Sequence, residues 1–112
     1  MSIKAVFPEG TNAITVHGLH QWDHGRKLKI QAPDLPARIE VHFACAGMAE
    51  AEVRSCTVAN GTAEAEIPNQ CLEQTTPITA WVYEVGGNYG KTIKTAVLTI
   101  VERTRPQPAA LA

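Results

Sequence analysis

The sequence is poor in aromatic residues, has no long apolar run and carries no excess of either charge. Aromatic side chains make up 5% of the 112 residues, and the net charge is -1 at pH 7. A near-neutral chain without a basic cluster lacks the electrostatic signature of nucleic-acid binding. No apolar run approaches the roughly 20 residues of a membrane helix, and the N-terminal MSIKAVFPEG is too weakly apolar for a signal peptide. The sequence therefore predicts a soluble protein made in a cytoplasm, with no nucleic-acid or membrane partner.

Cysteine is also scarce and widely spaced. The chain contains 3 cysteines, Cys45, Cys56 and Cys71. Disulfide frameworks favour even counts, and zinc sites favour close pairs such as CxxC. We therefore expect small, mostly buried thiols in a reducing compartment, with no metal ion or other cofactor.

What the chain contains in quantity is short alternating runs separated by turn signals. In the run 27–31, for example, Leu28 and Ile30 share one face while the lysines share the other. Comparable runs occupy 3–7, 13–16, 39–45, 53–58, 63–67, 78–85 and 92–101. Since no helical window of useful length is present, the pattern predicts an all-β, immunoglobulin-like antiparallel β-sandwich of seven to eight strands. We assign this domain to residues 1–103 and a Pro/Ala-rich C-terminal tail to 104–112.

Turn residues mark the connections between these runs. Asn60-Gly61 is a strong signal for a type I′ hairpin, because both residues tolerate positive φ. The segment 69–74 is long enough for one helical or 3₁₀ turn, with Leu72 tucked inward. The glycine-rich segment 86–90 reads as a hairpin turn and not as a phosphate loop, because no helix follows it. Lys91 and Lys94, which come next, are expected to be exposed.

The segment HGLHQWDH at 17–24 raises the question of a metal site. On a helix, His17, His20 and His24 would share a face and could bind zinc. However, Gly18 and Gly25 argue against a helix, and Gly18 is expected to end the second strand. In an extended chain His20 and His24 would lie about 13 Å apart, too far to share one ion. We therefore predict exposed loop histidines and keep a small metal-dependent enzyme as the third hypothesis.

The residues after these first histidines favour a turn. Asp23 can accept a hydrogen bond from the backbone two residues on, and Gly25 supplies an unusual dihedral angle. Trp22 is expected to pack over the open end of the sandwich. No catalytic nucleophile is evident, because Ser55 lacks a GxSxG context and Cys45 points away from His42 in a strand. The sequence thus predicts a protein that is not an enzyme.

Three pieces of the chain together resemble a known family. They are QWDHGRKLKI at 21–30, EVHFACAG at 40–47, and AEIPNQCLEQTTPITAWVYE at 65–84, which GKTIKTAVLTIVERTRPQP follows. Their order and spacing resemble the small β-sandwich module of structural proteins of phages and prophages of Gram-positive bacteria. The resemblance is to the N-terminal domain of baseplate-upper proteins and to tail or head fibre-type proteins. It covers residues 13–106 and departs at Cys71-Leu72, where two leucines are usual.

The resemblance implies a non-enzymatic virion structural protein, an assembly or attachment module of the tail, baseplate or head fibre. It implies a location in the virion, and in the host cytoplasm during assembly. The implied partners are other virion structural proteins and further copies of the same chain. We expect contacts at the following residues: Trp22, Asp23, His24, Asn88, Tyr89, Arg103 and Arg105.

An alternative function comes from a different class. The chain could be a carbohydrate- or cell-wall-binding β-sandwich module, in which aromatic side chains stack on sugar rings. The residues proposed for this role are Trp22, Trp81 and Tyr89.

Overall fold

A computed structural model describes residues 2–107 of the chain. The strands are β1 (Ser2–Val6), β2 (Ala13–His20), β3 (Lys27–Gln31), β4 (Arg38–Ala44), β5 (Glu52–Thr57), β6 (Thr62–Glu66), β7 (Ile78–Val85) and β8 (Gly90–Val101). A single 3₁₀ turn, Asn69–Glu73, lies between β6 and β7. No helix in this part of the chain has the length and apolar character needed to cross a lipid bilayer.

The strands form two sheets that pack together, as the sequence predicted for an all-β sandwich. The smaller sheet has the order β1-β3-β6 and the larger sheet the order β2-β8-β7-β4-β5. Of the pairings among residues 2–107, β1 with β3 and β2 with β8 are parallel, and the others are antiparallel. The sandwich is therefore mixed, because side-chain alternation defines the inner face of a strand but not the direction of its neighbour.

The core follows the predicted alternation. Leu28 and Ile30 of β3 are fully buried, as are Val41 and Phe43 of β4. Leu72 closes one end of the core from the 3₁₀ turn, as expected. Complete burial of one such side chain stabilises the fold by about 1.5–3 kcal/mol relative to leaving it exposed, so these inner faces fix the register of the strands.

Strand β2 does not end at Gly18, contrary to the sequence-based expectation. It continues to His20, and its pairing with β8 shifts register between Val16 and Leu19. Gly18 has φ 124°, a conformation that other residues rarely adopt. The bulge inserts a residue without ending the ladder, and Leu19 returns to the core with no exposed surface.

The Asn60-Gly61 turn forms, but the hairpin does not. Asn60 has φ 55° and Gly61 has φ 70°, and the flanking Ala59 and Thr62 exchange backbone hydrogen bonds of 2.9 and 3.1 Å. Beyond this bridge the two strands separate, since β5 belongs to the larger sheet and β6 pairs with β3 in the smaller one. The turn is thus a corner between the sheets.

Lys94 is buried, so the prediction that it is exposed was wrong. Its residue exposure is 3%, and its ammonium group lies 3.1 Å from Asn12 Oδ1 and 3.1 Å from Asp34 Oδ1. The cause is the alternation of β8, which places Lys94 on the same face as Ala96 and Leu98. The predicted exposure holds for Lys91.

Candidate interaction surface

The turn after β2 presents Trp22 from an unusual backbone conformation. Trp22 has φ 72°, and its N–H donates to the Leu72 carbonyl over 2.7 Å. The N–H of Asp23 donates to the His20 carbonyl over 3.2 Å, while the N–H of His20 donates to Asp23 Oδ2 over 3.2 Å. These bonds hold the left-handed residue in place, so Trp22 projects from a defined turn. The sequence predicted a turn here, but the bond predicted from the backbone at residue 25 to Asp23 does not form, because the Gly25 N–H donates to Asn69.

The same turn is closed by a half-buried ion pair and anchored to the 3₁₀ segment. Arg26 Nη1 lies 2.8 Å from Asp23 Oδ2. The N–H of Gly25 donates to Asn69 Oδ1 over 3.0 Å, across 44 positions in sequence. Because the Asn69 contact comes from a separate element of the fold, the loop has little freedom to rearrange when a partner binds.

The segment after β8 lies alongside this turn. The N–H of Gln21 donates to the Val101 carbonyl over 2.8 Å, and the N–H of Arg103 donates to Gln21 Oε1 over 3.4 Å. The guanidinium carbon of Arg105 lies 4.9 Å from the centre of the Trp22 ring, a cation–π contact. Residues 102–107 form no strand or helix. The predicted tail, 104–112, extends beyond the described residues at 108–112.

Together these elements form a shallow depression of about 310 Å³, here called the Trp22 groove. The structure brings four of the predicted contact residues to it, but Arg103 does not line it. Asn69 and Glu73, which the sequence analysis did not single out, complete its wall. The lining residues are Trp22, Asp23, His24, Asn69, Glu73, Arg105 and Pro106. The groove therefore combines an aromatic face with charges of both signs.

The remaining predicted contact residues, Asn88 and Tyr89, lie at the opposite end of β8. The 12 residues of β8 span about 36 Å at the usual rise of ~3.3 Å per residue. The Gly86 N–H donates to the Tyr89 carbonyl over 2.8 Å, and a Cβ added at Gly86 would overlap the Tyr89 ring. The predicted contact residues thus form two surfaces and not one.

The side chain of Tyr89 is oriented at this hairpin tip. Its hydroxyl donates to Glu84 Oε2 over 3.1 Å, and this hydrogen bond raises the pKa of Tyr89. The Glu84 charge adds to the effect. Tyr89 is 53% exposed and Val85 beside it is 55% exposed. The tip therefore presents a fixed aromatic ring and an apolar neighbour to solvent.

Trp81 lies on neither of these surfaces. It is half-buried on the outer face of the larger sheet, where it pairs with His42 on one side and Thr95 on the other. The rings of His42 and Tyr83 are 4.5 Å apart on the same face. Trp22, Trp81 and Tyr89 thus lie at three separate places on the surface.

The histidines of the HGLHQWDH segment separate as well. His17 Nδ1 lies 2.6 Å from Thr99 Oγ1 on β8, and His20 precedes the turn. His24 lines the Trp22 groove. Within residues 2–107, no three side chains of His, Cys, Asp or Glu are placed to share a metal ion.

Comparison with known proteins gives no further assignment. No family model matches the chain, and a search of curated proteins finds no relative. The interpretation of the Trp22 groove accordingly depends on its own geometry and on the sequence motifs.

Of the groove residues that sequence reasoning missed, Asn69 carried a local signal, because it follows Pro68 at the start of the 3₁₀ turn.

Proposed function

We propose that the chain is a non-enzymatic assembly or attachment module of a phage particle, a component of the tail, baseplate or head fibre. The motifs at 21–30, 40–47 and 65–84 support this proposal through their order and spacing. The two-sheet architecture is compatible with it, because compact sandwiches offer end loops and edge strands for docking. On this proposal the partners are other virion proteins and further copies of the chain.

The observation that carries the docking role is the fixed, partly exposed Trp22 ring in its groove. Tryptophan and arginine are the side chains most often found at the energetic centres of protein interfaces. Trp22 and Arg105 already contact each other in the free chain, and the turn beneath them is hydrogen-bonded to Leu72 and Asn69. A surface ordered in advance loses less conformational entropy when it binds.

The charges around the ring favour another copy of the chain as one partner. Asp23 and Glu73 provide negative charge, and Arg105 provides positive charge within the same groove. A surface that carries both signs can be complementary to itself across a two-fold axis. The proposal therefore includes a defined homo-oligomer that uses the Trp22 groove.

Light scattering coupled to size-exclusion chromatography tests this docking role. We expect the wild-type chain to have the mass of a defined oligomer, and Trp22→Ala to have a smaller mass. Trp22→Gly is the matched control for folding, since glycine adopts φ 72° without strain while removing the ring. Oligomer loss in both variants with intact β circular dichroism supports the proposal. A wild-type monomer, or oligomers unchanged in both variants, contradicts it.

A carbohydrate-binding role is the second candidate, and one feature of the groove favours it. The Trp22 ring lies beside Asp23, Asn69 and Glu73, and an aromatic face flanked by carboxylate and amide groups suits a sugar ring. A glycan array or a peptidoglycan pull-down separates the two roles. Glycan binding that Trp22→Ala abolishes, in a chain that remains monomeric, would favour the carbohydrate role.

A further inference from the structure

Three sulfur atoms from two parts of the sequence meet at the 3₁₀ turn. Cys45 Sγ lies 3.4 Å from Met48 Sδ, and Cys71 Sγ lies 3.5 Å from the same Met48 Sδ. Cys45 directly follows β4, Met48 is in the next turn, and Cys71 belongs to the 3₁₀ segment. The fold thus brings two thiols and a thioether to one point, here called the sulfur cluster.

The donor atoms of the sulfur cluster are all soft. Thiolate and thioether ligands select Cu(I) over hard cations such as Mg²⁺ and Ca²⁺. Structural zinc takes four ligands in a tetrahedron, and no fourth His, Cys, Asp or Glu joins these sulfurs within residues 2–107. We propose that Cys45, Met48 and Cys71 form a binding site for one Cu(I) ion.

Hydrogen bonds made by Gln74 hold the Cys45 thiol in a defined orientation. Gln74 Nε2 lies 3.4 Å from Cys45 Sγ and donates to the Ala46 carbonyl over 2.8 Å. The Thr76 hydroxyl donates to Gln74 Oε1 over 2.9 Å, which fixes the orientation of the amide. An N–H aimed at Cys45 Sγ stabilises the thiolate that a metal requires, as outer-shell partners do at other metal sites.

An acidic depression gives access to the cluster. Its volume is about 490 Å³, and Cys45 and Met48 lie in its wall. Glu50 and Glu73 line the same depression and lend it negative charge, while Glu52, also in its wall, pairs with Arg54 over 2.7 Å. Such a lining raises the local concentration of cations. Cys71 is fully buried behind these residues, so the ion would approach from the side of Cys45 and Met48.

Binding of a metal ion by cysteine requires the thiolate, so each cysteine ligand gives up its proton as the ion binds. Coordination of one Cu(I) by both thiolates and the Met48 thioether would therefore release two protons, with no change in the oxidation state of copper. Binding is then expected to strengthen as the pH rises.

Anaerobic competition between the fully reduced protein and a chromophoric Cu(I) chelator tests the site. We expect one Cu(I) per chain, and loss of this binding in Cys45→Ser and Cys71→Ser. Met48→Leu retains the shape of the side chain but removes the thioether, so its affinity should fall. Gln74→Leu should weaken binding by about 10–100-fold, the usual effect of an outer-shell change.

Cys56 provides the matched control. Its Sγ contacts the carbonyl of Glu64 and not the sulfur cluster, so Cys56→Ser should bind Cu(I) as the wild type does. If circular dichroism shows that Cys71→Ser does not fold, the Cu(I) affinities of Cys45→Ser and Met48→Leu test the proposal instead. Both of these side chains are only partly buried, so the two variants are expected to fold. The proposal would be overturned if Met48→Leu bound Cu(I) as tightly as the wild type does. It would also be overturned if Cys56→Ser and Cys45→Ser lost equal affinity for Cu(I), or if the protein retained Zn(II) against excess Cu(I).

Discussion

The guanidinium group of Arg105 covers the face of Trp22, with 4.9 Å between the Arg105 Cζ and the ring centre. This contact joins the segment after the last strand to the turn after the second strand. It also keeps the indole ring partly shielded in a chain that has no partner bound. The shielding suggests how the groove could respond to single substitutions.

Arg105→Ala should expose the Trp22 ring and destabilise the fold only slightly. A cation–π contact at an exposed site contributes about 0.5–1 kcal/mol. In a Trp81→Phe background, the fluorescence of Trp22 should shift to longer wavelength when Arg105 is removed. Arg103→Ala is the matched control, because within the described residues 2–107 the Arg103 side chain donates only to the neighbouring Thr104 carbonyl. An equal shift in both variants would contradict the contact.

The fold should lose more stability when the charged partner of the buried Lys94 is removed than when the Lys94 charge itself is removed. Asp34→Asn leaves a buried ammonium group short of a charged acceptor, which costs about 1–3 kcal/mol. Lys94→Met removes the buried charge, while the Asp34 side chain is 65% exposed and can be solvated. Chemical denaturation should therefore show Asp34→Asn to be less stable than Lys94→Met. The reverse order would mean that the pair itself stabilises the fold.

The corner between the sheets should depend on glycine at position 61. Gly61→Ala should destabilise the fold by more than about 1 kcal/mol, because φ is 70° and the new Cβ would lie 2.8 Å from the Ala32 carbonyl oxygen. Asn60→Gly is the control, since glycine also accepts the φ of 55° found there. Thermal denaturation of both variants checks this, and equal midpoints would contradict it.

The stability of the fold should fall at alkaline pH partly because of Cys71. A cysteine in the unfolded chain has a pKa of about 8.5. In the folded chain, burial raises the pKa of Cys71 to about 12. Its contribution to stability is therefore complete below the unfolded value and is lost as the pH rises through the folded one. The decline should be shallower in Cys71→Ala than in the wild type, and parallel curves would refute the assignment.

Local patterns in the sequence predict much of this fold, and two of the wrong predictions have different causes. Alternation identifies the buried faces of β3 and β4, and glycine with asparagine identifies the turn at 60–61. The burial of Lys94 also follows from alternation, if the period of Ala96 and Leu98 is applied to it. By contrast, parallel pairing of β2 with β8 is a property of the assembled sheets and leaves no mark within either strand.

The candidate sites were less accessible to sequence reasoning than the fold. The HGLHQWDH segment indicated the turn that presents Trp22 and Asp23. No local signal indicated that Asn69 would bond to Gly25, 44 positions away. In the same way, wide spacing argued against a shared role for Cys45 and Cys71, which the fold brings into contact with one methionine.

The proposal that the chain is a part of a phage particle can be tested on the particles themselves. Particles released from cells that express the tagged chain can be purified by density gradient and quantified by mass spectrometry. We expect the wild-type chain to sediment with the particles in a fixed ratio to their other proteins, and Trp22→Gly to stay in the soluble fraction. Particles that contain no trace of the wild-type chain would contradict the proposal that it is a virion component.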